Sequence, residues 1–289
     1  MAGCVHGVRT QENLCYAKAG TRSQHLTLFL PEGGLERGPR PCVLLVHGGA
    51  WTGGTRYQLR WYGNRLAEEG YVAAAISYRK LPRYGFPACV EDAKAAVRWL
   101  RLNADACGID PDRIAALGNS AGGHIVAMLA ATGAKPAFEG TENPGPSSRI
   151  SAAVSLYGAL DLTEYKRPTG WISIGGIAKR MMRRFVAKDY KGGEDPYVVA
   201  SPLTYFDQDT APMLLIQGEN DNLVPYVVAQ RAYEKLEEAG VKSRLISVPE
   251  RGHAFDFFYP RKRNEIFQEI LAFLNETIGP PGARAAAHE

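Results

Sequence analysis

The chain has 289 residues, of which 45% are hydrophobic and 22% are charged, and its formal net charge is +4. This composition is ordinary for a globular protein, and the length favours one α/β domain with a large core. The small net charge and the short basic clusters, such as Arg261-Lys262-Arg263, argue against a nucleic-acid-binding protein. No run of eighteen apolar residues is present, so the sequence predicts no membrane-spanning helix.

The N-terminal residues 1–20 lack the apolar segment of a signal peptide, which favours a cytoplasmic protein. A secreted chain trimmed to a new Met1 would look the same. Five cysteines are scattered without a C-x-x-C pair or a histidine at metal-ligand spacing. We therefore predict free thiols, no metal site and no cofactor, and the sequence leaves the oligomeric state open.

Strand and helix patterns alternate along the chain, which predicts an α/β fold with a mostly parallel central sheet and helices on both faces. The predicted strands cover residues 24–30, 41–46, 71–77, 113–117, 150–157, 213–217 and 244–248. The predicted helices cover residues 57–69, 90–102, 123–130, 227–239 and 264–278. We expect residues 1–278 to form one domain and residues 279–289 to form a disordered tail.

One long connection interrupts this alternation. About fifty residues separate the strand that ends near Leu160 from the strand that begins at Met213, and a structureless loop of that length would be unusual. The connection carries Trp171 and Phe185 among several basic residues. We predict a small helical cap inserted over the sheet within residues 161–200, and the alternative is an ordinary crossover helix with long arms.

The pentapeptide Gly118-Asn119-Ser120-Ala121-Gly122 is a G-x-S-x-G motif between a predicted strand and a predicted helix. A nucleophile elbow requires this context, because the sharp turn projects the serine oxygen from the end of the sheet. Glycines on both sides allow the turn without side-chain collisions. Ser120 is therefore the candidate nucleophile, and the alternative is a glycine-rich corner with an idle serine.

A serine hydroxyl needs a neighbouring base, and the histidine that serves as base needs an orienting carboxylate. His253 lies just beyond the last strand, at the end of the sheet where open α/β folds place their sites. Asp221 follows the preceding strand, with Glu219 as its competitor. The chain order Ser120, Asp221, His253 is the order of an α/β-hydrolase triad. The alternative pairs His253 with Asp256 at the surface.

Acyl transfer also needs backbone N–H donors for the oxyanion of its tetrahedral intermediate. The sequence from His47 to Trp51 is His-Gly-Gly-Ala-Trp and follows a buried strand, which is where such a turn belongs. Ala121, directly after the serine, is expected to supply a donor from the helix N-terminus. The ring of His47 is expected to brace the turn rather than to exchange protons.

These segments, together with Gly-His-Ala-Phe around His253, resemble the α/β-hydrolase superfamily, and more narrowly the BD-FAE-like and hormone-sensitive-lipase-like carboxylesterases. The H-G-G-x-W turn is shared with the kynurenine formamidases. The resemblance covers roughly residues 41–274. It implies that the N–H groups of Gly49 and Ala50 form the oxyanion hole. The lipase-like branch usually has a third glycine where this chain has Ala50.

The sequence thus predicts a serine carboxylic ester hydrolase (EC 3.1.1 type) that acts on short acyl esters, such as acetyl or feruloyl esters of carbohydrate. The first alternative is an arylformamidase that cleaves N-formylkynurenine. A peptidase and a non-catalytic binding module are further alternatives. Trp51 and Trp171 are the expected substrate-binding residues, and the expected partner is the ester alone, without nucleic acid.

Overall fold

A computed structural model of the protein describes residues 2–5, 7–18, 23–32, 38–166 and 176–282. Within these ranges one sheet has the strand order β1-β2-β3-β5-β4-β6-β7-β8-β9. The strands are β1 (Ala2–Val5), β2 (Val8–Ala17), β3 (Gln24–Pro31), β4 (Arg40–Val46), β5 (Val72–Ile76), β6 (Ile109–Asn119), β7 (Ala152–Leu156), β8 (Met213–Gly218) and β9 (Ser243–Val248).

Six neighbouring strands pair in parallel, in the order β5-β4-β6-β7-β8-β9. At one edge, β1, β2 and β3 pair antiparallel, and β3 pairs antiparallel with β5. Strand β4 is buried along its whole length. Its residues alternate between two hydrophobic clusters, with Leu44 in one and Leu45 in the other. Burial on both faces explains why such strands read as continuous apolar runs in the sequence.

Helices cover both faces of the sheet, which confirms the predicted fold class. Residues of α1 (Arg60–Glu68) and α9 (Pro260–Thr277) belong to one hydrophobic cluster. Residues of α2 (Ala88–Leu102), α4 (Ala121–Thr132) and α7 (Tyr226–Glu238) belong to the other. The remaining helices are α5 (Gly176–Ala187) and the short helices α3 (Ala104–Cys107), α6 (Pro196–Val199) and α8 (Phe255–Phe258).

Strands β1 and β2 were not predicted from the sequence. Strand β2 has few fully buried positions, and its register against β3 shifts between Gln11 and Leu14. Asn13, inside this interruption, has a φ of 60°. A bulge of this kind breaks the period-two alternation by which strands are recognised.

The long connection forms a 3-10 helix (Leu162–Lys166), then α5, α6 and a second 3-10 helix (Pro202–Tyr205). Trp171 lies outside the described residues, as do residues 283–289 of the predicted tail. In the described part, no helix is both long enough and apolar enough to cross a membrane. The cytoplasmic location and the role of 161–200 as a cap stay predictions.

Candidate active site

Ser120 lies in the turn between the end of β6 and the start of α4, with φ 53° and ψ −118°. This is a strained conformation for a residue other than glycine, and such strain is frequent at functional sites. A Cβ atom on Gly122 would lie 1.9 Å from the carbonyl oxygen of Val46, so only glycine fits there. The backbone N–H of Ser120 donates to the carbonyl of Leu156 at 2.8 Å. The local chain therefore holds the serine in the geometry of a nucleophile elbow.

His253 and Asp221 meet Ser120 from the loops after β9 and β8. The ring Nδ1 of His253 lies 2.7 Å from Asp221 Oδ2, and its Nε2 lies 2.9 Å from Ser120 Oγ. A carboxylate can only accept at Nδ1, so Nδ1 carries the proton and Nε2 is free to accept the serine proton. The side chain of Glu219 is exposed. The structure thus brings Asp221, and not Glu219, to the histidine.

Asp221 is buried and oriented by donors of its own loop. The backbone N–H groups of Leu223 and Val224 donate to its Oδ1 at 2.8 and 2.9 Å, and Gln217 Nε2 donates to its Oδ2 at 2.9 Å. Three donors besides the histidine therefore satisfy this carboxylate. A carboxylate held in this way orients the imidazole and stabilises the imidazolium that forms during proton transfer.

The turn from His47 to Trp51 follows β4 and lies beside the elbow. A Cβ atom on Gly48 would lie 3.2 Å from Ser120 Cβ, which shows how closely the two turns approach. Gly49, Ala50 and Trp51 all have positive φ values, of 118°, 51° and 55°. Among the hydrogen bonds of the described residues, none is donated by the backbone N–H of Gly49, Ala50 or Ala121. Within the described residues these three N–H groups therefore have no protein acceptor.

The ring of His47 braces this turn from inside the protein. Its Nδ1 donates to the carbonyl of Gly48 at 2.6 Å, and the ring stacks on Tyr78 with centroids 4.4 Å apart. The Tyr78 hydroxyl donates to the carbonyl of His47 at 2.9 Å. Burial lowers the pKa of His47 from 6.5 to about 4, so the ring is neutral at physiological pH.

Trp51 joins the turn to helix α5. Its side chain is only 5% exposed, and its ring stacks on Phe185 at 4.4 Å. The indole Nε1–H donates to His124 Nδ1 at 3.2 Å, and His124 Nε2 donates to the carbonyl of Ala200 at 2.8 Å. The expected substrate-binding face of Trp51 is therefore largely covered by α5, and Trp171, the second expected contact, is outside the described residues.

Three neighbours of this site were not identified as functional residues from the sequence. The ring of Tyr157 packs edge-on against His253, with centroids 4.7 Å apart. Asp256 is 1% exposed and bonds to tyrosine hydroxyls, so it does not pair with His253 at the surface. Asn119, inside the pentapeptide, contacts both Tyr157 and the backbone of Gly48. Only the position of Asn119 next to the serine could have signalled such a role.

Comparisons with known proteins identify the family of this chain. The BD-FAE family model matches residues 26–236. The probable carboxylic ester hydrolase LipM of Mycobacterium tuberculosis is 32% identical over 91% of this chain and 60% of its own length. The isoprenylcysteine alpha-carbonyl methylesterase ICME of Arabidopsis thaliana is 26% identical over 90% of this chain and 63% of its own. The chain thus spans about three fifths of the length of these curated relatives.

Solved structures of one esterase cover nearly the whole chain. Thermogutta terrifontis esterase 2 phosphonylated by sarin superposes with a TM-score of 0.77 at 26% identity, over 92% of this chain and 95% of that one. Its butyrate-bound form gives a TM-score of 0.76 at 25% identity, over 94% and 96% of the two chains. Together with the family model, these matches confirm the resemblance to BD-FAE-like esterases of the α/β-hydrolase superfamily. The chain belongs to the BD-FAE family of the α/β-hydrolase superfamily.

Proposed function

We propose that this protein is a serine carboxylesterase that hydrolyses short-chain acyl esters through an acyl-enzyme. The observation that carries the proposal is the hydrogen-bonded series Ser120 Oγ, His253, Asp221. Beside the serine are backbone N–H groups that no acceptor in the described residues occupies. Nucleophile, base, orienting acid and oxyanion donors are the four parts that acyl transfer requires. The relatives named as esterases support the same chemistry.

In the acylation step, Ser120 Oγ attacks the ester carbonyl carbon while its proton passes to His253 Nε2. The carbonyl oxygen becomes an oxyanion that accepts from the N–H groups of Gly49, Ala50 and Ala121. Collapse of this intermediate breaks the bond to the alcohol oxygen, which takes the proton from His253. Water then gives its proton to His253 and attacks the acyl carbon. The acid leaves, and Ser120 regains its proton.

The arrangement around Trp51 supports a preference for short acyl chains. The indole and the Phe185 ring stack at 4.4 Å, and both side chains are buried, so this apolar pair fills the space next to the oxyanion turn. Structures of the Thermogutta esterase have been solved with butyrate bound and with propionate bound, and both ligands are short acids. We therefore expect acetyl to butyryl esters to be better substrates than octanoyl esters. Acetyl esters of carbohydrate are the natural substrates that we propose, because a feruloyl group is larger than the acyl groups that we expect this site to accept.

Residues 161–200 are proposed to act as the cap over this site. The carbonyl of Phe185 accepts from the N–H of Phe86 at 2.8 Å, and Asp189 Oδ2 accepts from the N–H of Gly85 at 2.6 Å. These bonds fix the end of α5 to the loop before α2, so that the Phe185 ring covers Trp51. Caps of this kind regulate the access of substrates and water to the reacting atoms.

A hydrolysis panel tests the proposal and separates it from its alternatives. The substrates are p-nitrophenyl esters of two to twelve carbons, acetylated xylan, methyl ferulate, a methyl ester of a prenylated cysteine and N-formylkynurenine. We expect the highest kcat/KM on acetyl or butyryl esters, and a kcat lower by at least about a thousandfold for Ser120→Ala on every substrate. Fastest turnover of N-formylkynurenine would make the protein an arylformamidase instead. Fastest turnover of the long-chain or prenylcysteine esters would contradict the expected preference for short acyl groups.

A further inference from the structure

The carboxyl group of Asp256 is buried beneath the candidate site, although it takes no part in the proposed triad. It is 1% exposed, and its two oxygens accept from the hydroxyls of Tyr157 at 2.5 Å and Tyr62 at 2.9 Å. Burial raises the pKa of Asp256, and the two hydroxyl bonds act in the opposite direction. A buried carboxyl group is expensive to maintain, so its partners indicate what it does.

A one-way series of hydrogen bonds leads from the oxyanion turn to this carboxyl group. The backbone N–H of Gly48 donates to Asn119 Oδ1 at 2.8 Å. The amide nitrogen Nδ2 of Asn119 donates to the Tyr157 hydroxyl at 3.2 Å, and that hydroxyl donates to Asp256. Because a backbone N–H can only donate, the Asn119 oxygen must face Gly48 and its nitrogen must face Tyr157. The directions of the first two bonds are thereby fixed.

The members of this series are adjacent in the chain to the reacting groups. Gly48 directly precedes Gly49, whose N–H is a proposed oxyanion donor, and Asn119 directly precedes Ser120. The ring of Tyr157 also packs against the ring of His253, with ring centroids 4.7 Å apart. Tyr157 itself is held in a left-handed conformation with φ 40°, and its N–H donates to the carbonyl of Ile216 at 2.8 Å. One side chain therefore contacts the base and, through Asn119, the oxyanion turn.

We propose that Tyr157, anchored by Asp256, is a positioning residue that sets the oxyanion turn relative to Ser120 and His253. This inference rests on the proposed function. The Tyr157 hydroxyl does not contact the substrate. It accepts a hydrogen bond from Asn119, and Asn119 accepts one from the N–H of Gly48, the residue before the Gly49 donor. Loss of the hydroxyl releases the turn, so the oxyanion donors are less well aligned in the transition state. Ground-state binding of the ester is left unchanged, because the turn binds the oxyanion and not the rest of the substrate.

The structure offers a matched pair of variants for the test. Tyr157→Phe and Tyr62→Phe each remove one hydroxyl that donates to the carboxyl group of Asp256. Only Tyr157→Phe also removes the hydrogen bond to Asn119. We expect similar falls in Tm for the two variants. Tyr157→Phe should lower kcat about ten- to hundredfold with KM nearly unchanged, as expected when reacting groups are slightly misplaced. Tyr62→Phe should retain the wild-type kcat. An unchanged kcat in both variants would show that Asp256 serves stability alone, and equal kcat losses in both would show that the link through Asn119 does not set kcat; either result would overturn the proposal.

A double-mutant cycle between Asn119→Ala and Tyr157→Phe tests whether the two side chains act in series. If they do, the double variant loses no more kcat than Asn119→Ala alone, because the link is already broken. If the kcat loss of the double variant equals the product of the two single losses, the two side chains act independently, and the proposal would be overturned. Since Tyr157→Phe keeps the ring against His253, it is expected to fold even if Asn119→Ala does not.

The labelling rate of Ser120 by diethyl p-nitrophenyl phosphate separates this inference from the proposed function. The phosphoryl oxygen of the reagent takes the place of the ester oxyanion, and no natural substrate is needed. We expect rapid labelling of the wild type, slow labelling of Tyr157→Phe and rapid labelling of Tyr62→Phe. Labelling of Tyr157→Phe at the wild-type rate would overturn the positioning role and leave the esterase proposal standing. Absence of labelling in the wild type would overturn both.

Discussion

Acidification should destabilise the fold through His124, the buried histidine in the first turn of α4. Both of its ring nitrogens are engaged: Nδ1 accepts from the Trp51 indole at 3.2 Å, and Nε2 donates to the carbonyl of Ala200 at 2.8 Å. A second proton on Nδ1 would face the indole N–H, so two donors would oppose each other. Burial lowers the pKa of this histidine from 6.5 to about 4.

The sign of the effect follows from this lowered pKa. The unfolded chain takes up the proton as the pH falls through 6.5, whereas the folded chain resists until about pH 4. The stabilisation is therefore complete above pH 6.5 and is lost between pH 6.5 and 4. The full difference corresponds to about 3 kcal/mol of unfolding free energy. At pH 5 the loss from this single group is about 2 kcal/mol relative to pH 7.

His124→Gln isolates this contribution. A glutamine amide can accept from Trp51 and donate to Ala200, yet it does not titrate. Urea unfolding followed by circular dichroism at pH 7 and pH 5 gives the pH-dependent loss for both proteins. The fall in unfolding free energy from pH 7 to pH 5 should be smaller by about 2 kcal/mol in the variant than in the wild type. His47, whose pKa is also lowered to about 4, is present in both proteins and cancels. An identical loss in the two proteins would refute this account of His124.

Four further substitutions test the proposed site. Ser120→Ala should lower kcat by at least about a thousandfold with an unchanged circular dichroism spectrum; a variant that retained a tenth of the turnover would exclude this nucleophile. Asp221→Asn should lower kcat by about ten-thousandfold because the histidine loses its orienting charge. Glu219→Gln, whose side chain is exposed, should match the wild type, and the reverse ranking would give Glu219 the role. Phe185→Ala should uncover Trp51 and raise the octanoate-to-butyrate ratio of kcat/KM; an unchanged ratio would remove α5 from the acyl pocket.

The parts of the site that the sequence predicted are those with a local signal. The elbow around Ser120 lies between a recognisable strand and a recognisable helix, and the turn from His47 to Trp51 follows an apolar strand. His253 and Asp221 follow the last two strands, and the carboxyl ends of parallel strands meet at one edge of the sheet. The structure brings all of these residues together for that reason.

What the sequence did not reveal depends on contacts between distant residues. The Tyr62 hydroxyl meets Asp256 across 194 positions of the chain, and Asn119 meets Tyr157 across 38. No periodicity or motif marks such pairs, so Asp256 was interpreted only as a surface partner of His253. Burial of Trp51 was missed for the same reason, because the Phe185 ring that covers it belongs to a distant helix.

The central claim is that His253 and the oxyanion turn make Ser120 a nucleophile. Its most direct test is to treat the wild-type protein with diethyl p-nitrophenyl phosphate and to locate the adduct by peptide mass spectrometry. The account predicts one released p-nitrophenol per chain, one phosphoryl group on the peptide that contains Ser120, and loss of this labelling in His253→Ala. An unlabelled Ser120, or a label that forms equally fast without His253, would contradict it.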